Sequence, residues 1–300
     1  MSTEIGLVLQ SASDPAEEAR QVEAAGYDFA CMGEHVSFNV PAANSFISLS
    51  VAAGATTGLG LMSTVVLAPL YPPALLAKLG ASLHVASGGR YRLGVGIGGE
   101  IPAEFEACGV PVAQRGARTN EALEIIRLLW STDRAVFEGR FNRFADVTIA
   151  PRLDPPPPIW VSGRSEAAMV RAARFGDGWL PYMYTPEKLA SSLEVIADHR
   201  ERPEPVRPGL FIWGAVHEDP ATAERYAVDA LSKTYAQDFS KLVGRYAFAG
   251  DPDGVAARLG EFLDAGVTTL ACSFACPGPA ITETRRLFTE EVLPRLRARG

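Results

Sequence analysis

The sequence predicts an α/β protein in which the whole chain, residues 1–300, folds as one (β/α)8 barrel domain. Three observations point there. Short apolar runs alternate with helical patterns from one end of the chain to the other, which is the sequence sign of a parallel sheet. The alternation counts eight strands, almost every one followed by a helix, and eight such units favour closure over an open sheet. Finally, 47% of the residues are hydrophobic, enough for a large core and too many for a disordered chain.

The elements follow in order. The first strand is expected at residues 5–9, where Ile5-Gly-Leu-Val-Leu9 is uniformly apolar, as a strand covered on both faces must be. Asp14-Pro15 opens a helix: Asp caps free N–H groups, Pro suits the first turn, and Glu17 completes a box-like start. Ala19, Val22 and Ala25 then recur at helical spacing, and Gly26 stops the helix. Further strands are expected at residues 28–33, 59–67, 91–97, 159–162, 179–182, 210–216 and 267–274. Helices are expected at 73–85, 118–130, 166–175 and 284–297, and others open at Thr185-Pro186, Asp219-Pro220 and Asp251-Pro252. Two spans exceed a plain unit and read as insertions. Residues 100–157, after strand four, hold a helix, a small β excursion at 137–149 and a run of four prolines; residues 217–266, after strand seven, hold two helices.

Composition narrows the function. A net charge of −7 leaves no basic excess to neutralise phosphates, which argues against nucleic acid as a partner. The four cysteines, Cys31, Cys108, Cys272 and Cys276, do not have zinc spacing, and no metal cluster is expected. Residues 36–77 contain no Asp, Glu, Lys or Arg, but Gly54, Gly58, Gly60, Pro69, Pro72 and Pro73 break the stretch too often for a membrane span. It reads as buried core, and the acidic, non-basic start reads as a cytoplasmic chain without a signal peptide.

In a barrel of this kind, function gathers where the strands end. Strand two ends in Glu34-His35, a carboxylate and an imidazole that suit proton transfer near neutral pH, or else an ordinary helix cap. Strand four runs into Gly94-Val-Gly-Ile-Gly-Gly99, which matches G-x-G-x-x-G without the long helix that a dinucleotide site needs. These glycines admit either a flat ring against bare backbone or tight strand packing. Strand five leads to Ser162-Gly163-Arg164-Ser165, where N–H groups, hydroxyls and a guanidinium suit a phosphate, with simple capping by Ser165 as the other reading.

A family resemblance joins these pieces. Gly33-Glu34-His35, Leu76-Ala77-Lys78, Ser87-Gly88-Gly89-Arg90 and Leu93-Gly-Val-Gly-Ile-Gly98 resemble the bacterial luciferase-like flavin and deazaflavin oxidoreductases. So do Arg115-Gly116-Ala117-Arg118, Phe137-Glu-Gly-Arg-Phe141, Pro158-Ile-Trp-Val161 and Gly176-Asp177-Gly178-Trp179. The branch using coenzyme F420 is the nearest in pattern. The resemblance implies a barrel, usually a homodimer, that transfers a hydride between F420 and a small organic substrate. The alternative is an FMN-dependent monooxygenase fed by a separate flavin reductase. It further implies catalytic roles for Glu34, His35 and Glu100, the last displaced one position by the second glycine. Cofactor contacts are implied at Val65, Val66, Gly98, Gly99, Ser162, Gly163, Arg164, Ser165 and Trp179, with Phe38 and Trp213 in the substrate pocket. Val65-Val66 matches a bulge that often holds a non-prolyl cis peptide. The loop after strand two lacks the aromatic acid/base cluster of some sugar-phosphate enzymes. No basic group besides Arg164 is expected at the site, so a sugar phosphate is not expected as substrate.

Overall fold

A computed structural model describes residues 3–10, 14–150 and 152–299. In chain order the strands are β1 (Glu4–Val8), β2 (Phe29–Met32), β3 (Gly60–Ser63), β4 (Val66–Leu67), β5 (Tyr91–Gly96) and β6 (Ala135–Glu138). They continue with β7 (Arg143–Val147), β8 (Ile159–Ser162), β9 (Gly178–Leu180), β10 (Arg207–Val216), β11 (Phe248–Gly250) and β12 (Thr269–Phe274). Parallel pairing runs β12-β1-β2-β3-β5-β8-β9, β4 joins β5, and β10 closes the ring by pairing with both β9 and β12. The result is an eight-stranded parallel barrel, with β3 and β4 counted as two pieces of one staves' position. Its interior is filled by Phe29, Cys31, Met62, Trp160, Leu180 and Ala271, while a larger apolar layer joins the outer faces of the strands to the helices.

Local chemistry sets the helix starts. Asp14, Thr185, Asp219 and Asp251 each accept a backbone N–H in the first turn, and a proline follows each of them. An oxygen acceptor before a fixed φ satisfies one orphan donor and removes another. Three elements differ from expectation. The third strand breaks after Ser63, because the Ser63 hydroxyl takes the Gly94 N–H at 2.8 Å and donates to the Gly94 carbonyl at 3.0 Å, in place of a backbone ladder. The expected helix at 284–297 is helical over Ile281–Leu287, π-helical over Phe288–Val292 and helical again over Leu293–Arg297, since Pro294 has no N–H for the carbonyl four residues back. A strand was not expected within 217–266, yet β11 pairs with the end of β10, Gly214 facing Phe248. Between β5 and β8, β6 and β7 form an antiparallel hairpin, anchored where the Glu121 carboxylate accepts from Arg140 N, Phe141 N and Asn142 Nδ2. No described helix is long and apolar enough to cross a membrane.

Candidate active site at the mouth of the barrel

The strands end around a cavity of about 1100 Å³. Its wall includes Glu34, His35, Phe38, Thr64, Val65, Gly96, Ile97, Gly98, Glu100, Arg115, Ser162 to Ser165, Tyr182, Trp213 and residues of the helix Pro220–Tyr235. Parallel strands all point their C-terminal ends this way, so loops far apart in sequence converge here.

Glu34 and His35 are adjacent but face different partners. The buried Glu34 carboxylate accepts from Leu67 N at 3.1 Å, Asn44 Nδ2 at 3.1 Å, Tyr71 Oη at 3.1 Å and Ser45 N at 3.3 Å. Burial pushes its carboxyl above the usual range, and these donors pull the other way. Glu34 therefore ties the loop after β2 to β4 and to the helix Ser45–Ala55. The two side chains do not bond each other: the imidazole meets Glu104, on the short helix Pro102–Ala107, with Nδ1 at 3.3 Å from both carboxylate oxygens. The Phe38 ring stacks on His35 at 3.9 Å between centroids, 6° from parallel.

The glycine run divides between the two readings it allowed. A Cβ on Gly94 would sit 1.9 Å from the Ser63 carbonyl oxygen, and one on Gly96 would sit 2.5 Å from Val65 Cγ2, so both are demanded by packing. Gly98 takes a positive φ and lines the cavity; Gly99, also at positive φ, backs onto Arg115 instead. The peptide between Thr64 and Val65 is cis, and both residues line the cavity, while Val66 is fully buried behind them. Glu100 is exposed and accepts from Tyr182 Oη at 2.9 Å. Burial, then the Glu100 charge, raises the Tyr182 phenol, over which the Arg164 guanidinium lies at 4.9 Å.

Ser165 caps the helix Glu166–Phe175, accepting from Ala168 N, so the capping role is real. Gly163 needs its positive φ of 127° to make this turn. Trp179 is fully buried and donates Nε1–H to the Gly163 carbonyl at 3.1 Å. Val66, Gly99 and Trp179 therefore support the cavity wall without lining it, unlike the other expected contact residues.

The sequence reading missed several groups. Glu104 lies 69 residues from His35 and has no spacing signal. Arg115, Arg225 and Lys233 join Arg164 on the wall, correcting the expectation of a single basic group. For Arg115 the Arg115-Gly-Ala-Arg118 motif is a signal. Tyr235 completes an aromatic wall: its ring meets Phe38 edge-on at 6.2 Å, and its hydroxyl accepts from Trp213 Nε1 at 3.2 Å. Burial pushes the Tyr235 phenol up to about 12. Among the described residues, no group of three His, Cys, Asp or Glu side chains is placed to hold a metal ion.

A closed parallel barrel with a polar, partly aromatic mouth is a scaffold on which strand-end loops can build an active site. The family model for luciferase-like monooxygenases matches residues 2–269, and the chain belongs to that family. A relative from Beutenbergia cavernae described as an F420-dependent glucose-6-phosphate dehydrogenase is 30% identical over 92% of this chain and 91% of its own length. Among solved structures, the monooxygenase RslO1 from Streptomyces bottropensis superposes with a TM-score of 0.85 at 25% identity, over 97% of this chain and 99% of that one. An F420-dependent secondary alcohol dehydrogenase has the same fold, with a TM-score of 0.85 at 20% identity over 99% of both chains. The chain is an oxidoreductase of the luciferase-like class.

Proposed function

We propose that this enzyme transfers a hydride between coenzyme F420 and a small organic substrate in the cavity at the barrel mouth. The observation that carries the reading is that one cavity joins His35 at one part of its wall to the N-terminus of the helix Glu166–Phe175 at another. Relatives named as F420-dependent support it.

The residues present fit a phosphorylated tricyclic cofactor. Arg115 Nε is buried without a hydrogen-bond partner, and neither Arg115 nor Arg164 has a carboxylate partner among the described residues. Ser162, Gly163, Arg164 and Ser165, with the first-turn N–H groups, would hold the phosphate. Thr64, Val65, Gly96, Ile97 and Gly98 offer backbone and small side chains to a flat ring. Bound F420 supplies the hydride donor or acceptor; the rest is the protein's task. His35 takes or gives a proton at Nε2, its unbonded nitrogen. Phe38, Trp213 and Tyr235 form an aromatic part of the same cavity wall.

A second reading, FMN-dependent oxygenation with a separate reductase, is favoured by the likeness to RslO1, a monooxygenase. One titration separates the two. Oxidised F420 added to the purified protein is expected to change its fluorescence with a Kd in the low micromolar range or below. No binding at tens of micromolar overturns the proposal. Tight FMN binding with oxygen uptake from reduced FMN would establish the second reading in its place.

A further inference from the structure

We infer that Glu104 is the positioning residue for His35: it fixes which ring nitrogen carries a hydrogen and which faces the substrate. The inference rests on the proposed proton-handling role of His35, and it goes beyond that role to a residue buried behind it.

The Glu104 side chain is fully buried, whereas that of His35 keeps 21% of its surface exposed. Besides His35 Nδ1, the carboxylate accepts from Val36 N at 3.1 Å and from Ser37 N at 3.5 Å. Two of its three partners are obligate donors, which suits an ionised carboxylate, an acceptor only. The third partner, Nδ1, must then carry its hydrogen to meet it. That leaves Nε2 bare in the neutral ring and free to accept a proton, or to donate one when the ring is charged. Nε2 makes no hydrogen bond among the described residues, and His35 lines the cavity.

Two constraints fix the ring. Stacking on Phe38 sets its plane, and the two-oxygen contact to Glu104 sets which edge faces inward. Glu34, a carboxylate that feels the Glu104 charge, is engaged by Leu67, Ser45, Asn44 and Tyr71, and no Arg or Lys bonds Glu104 among the described residues. The proton balance is simple. Nε2 takes one proton from the substrate oxygen or returns one to it, and Nδ1 keeps its own. This is the division of labour by which a buried carboxylate orients a catalytic imidazole.

The test reads the ring directly. Nitrogen-15 NMR of the protein without cofactor should show the neutral His35 ring with hydrogen on Nδ1, assigned by comparison with His35→Gln among the four histidines of the chain. In Glu104→Gln the ring should become a mixture of both forms. Glu104→Asp should recover part of the Nδ1–H form. Turnover with F420 should fall about 10- to 100-fold in Glu104→Gln, with KM and cofactor binding within about twofold. A wild-type ring with hydrogen on Nε2 overturns the inference, as does an unchanged Nδ1–H population in Glu104→Gln. Should both variants fail to fold, the wild-type spectrum decides alone. Failure to bind F420 would count against the proposed function and leave this ring measurement intact.

Discussion

The two ends of the barrel use the same charged residues in opposite ways. Where the strands begin, carboxylates meet arginines: Glu4 with Arg92, Asp28 with Arg297 at 2.7 Å, and Asp177 with Arg127 and Arg202 at 2.9 Å each. Where the strands end, Glu34, Glu100 and Glu104 bond to backbone N–H groups, tyrosines, an asparagine and a histidine. Arg115 and Arg164 stand near them with no ion pair among the described residues. Pairing at the lower face neutralises charge that would otherwise be costly to bury partly. At the upper face, unpaired groups cost stability and persist where a ligand completes them. The difference sets a face of closed ion pairs against a face that leaves charged groups open, the end at which barrels of this kind generally place their chemistry.

The comparison can be broken by substitution. The largest effect should come from the upper face: His35→Ala should cut turnover with F420 by about 100-fold or more while the melting temperature stays nearly constant. Normal turnover, read from the cofactor's fluorescence, would remove His35 from the chemistry. The lower face should answer in the opposite sense, with Asp177→Asn costing about 2 kcal/mol of stability and little activity. Burial alone would raise the Asp177 carboxyl, but Arg127, the Ile159 N–H and Arg202 hold it below the usual range. A lowered carboxyl stabilises the fold above its unfolded-state pKa of about 4, and that stability is lost as pH falls through the lower folded value. Denaturant melts between neutral pH and about pH 3 should therefore show an acid loss in the native protein that is smaller in the variant. The smallest effect is expected at Arg164→Gln: about tenfold weaker F420 binding with unchanged stability. A clear loss of stability there would mean that Arg164 serves the fold and would blur the division between the faces.

Much of the architecture was legible because it follows local rules. The cap–proline pairs at Asp14, Thr185, Asp219 and Asp251 and the apolar runs of the strands depend on neighbours in sequence. The break after Ser63 was not legible, because it depends on a hydroxyl reaching Gly94 on another strand. The same limit applies at the cavity. Glu34 and His35 were visible as a pair, but side chains adjacent in sequence leave the backbone in different directions, and only the fold shows Glu34 turned toward Leu67 and His35 toward Glu104. Trp179 carried a motif signal, yet its ring holds the Gly163 carbonyl behind the wall.

By itself the sequence determined the strand–helix alternation, the closed count of eight, the strand-end loops where polar groups gather and the family pattern, because periodicity, caps and motifs are local properties of the chain. Tertiary structure alone decided the partner of each polar group. It paired His35 with Glu104 across 69 residues and brought Arg115, Tyr182 and Tyr235 to one cavity. Closing a parallel barrel brings the ends of all its strands together whatever their separation along the chain.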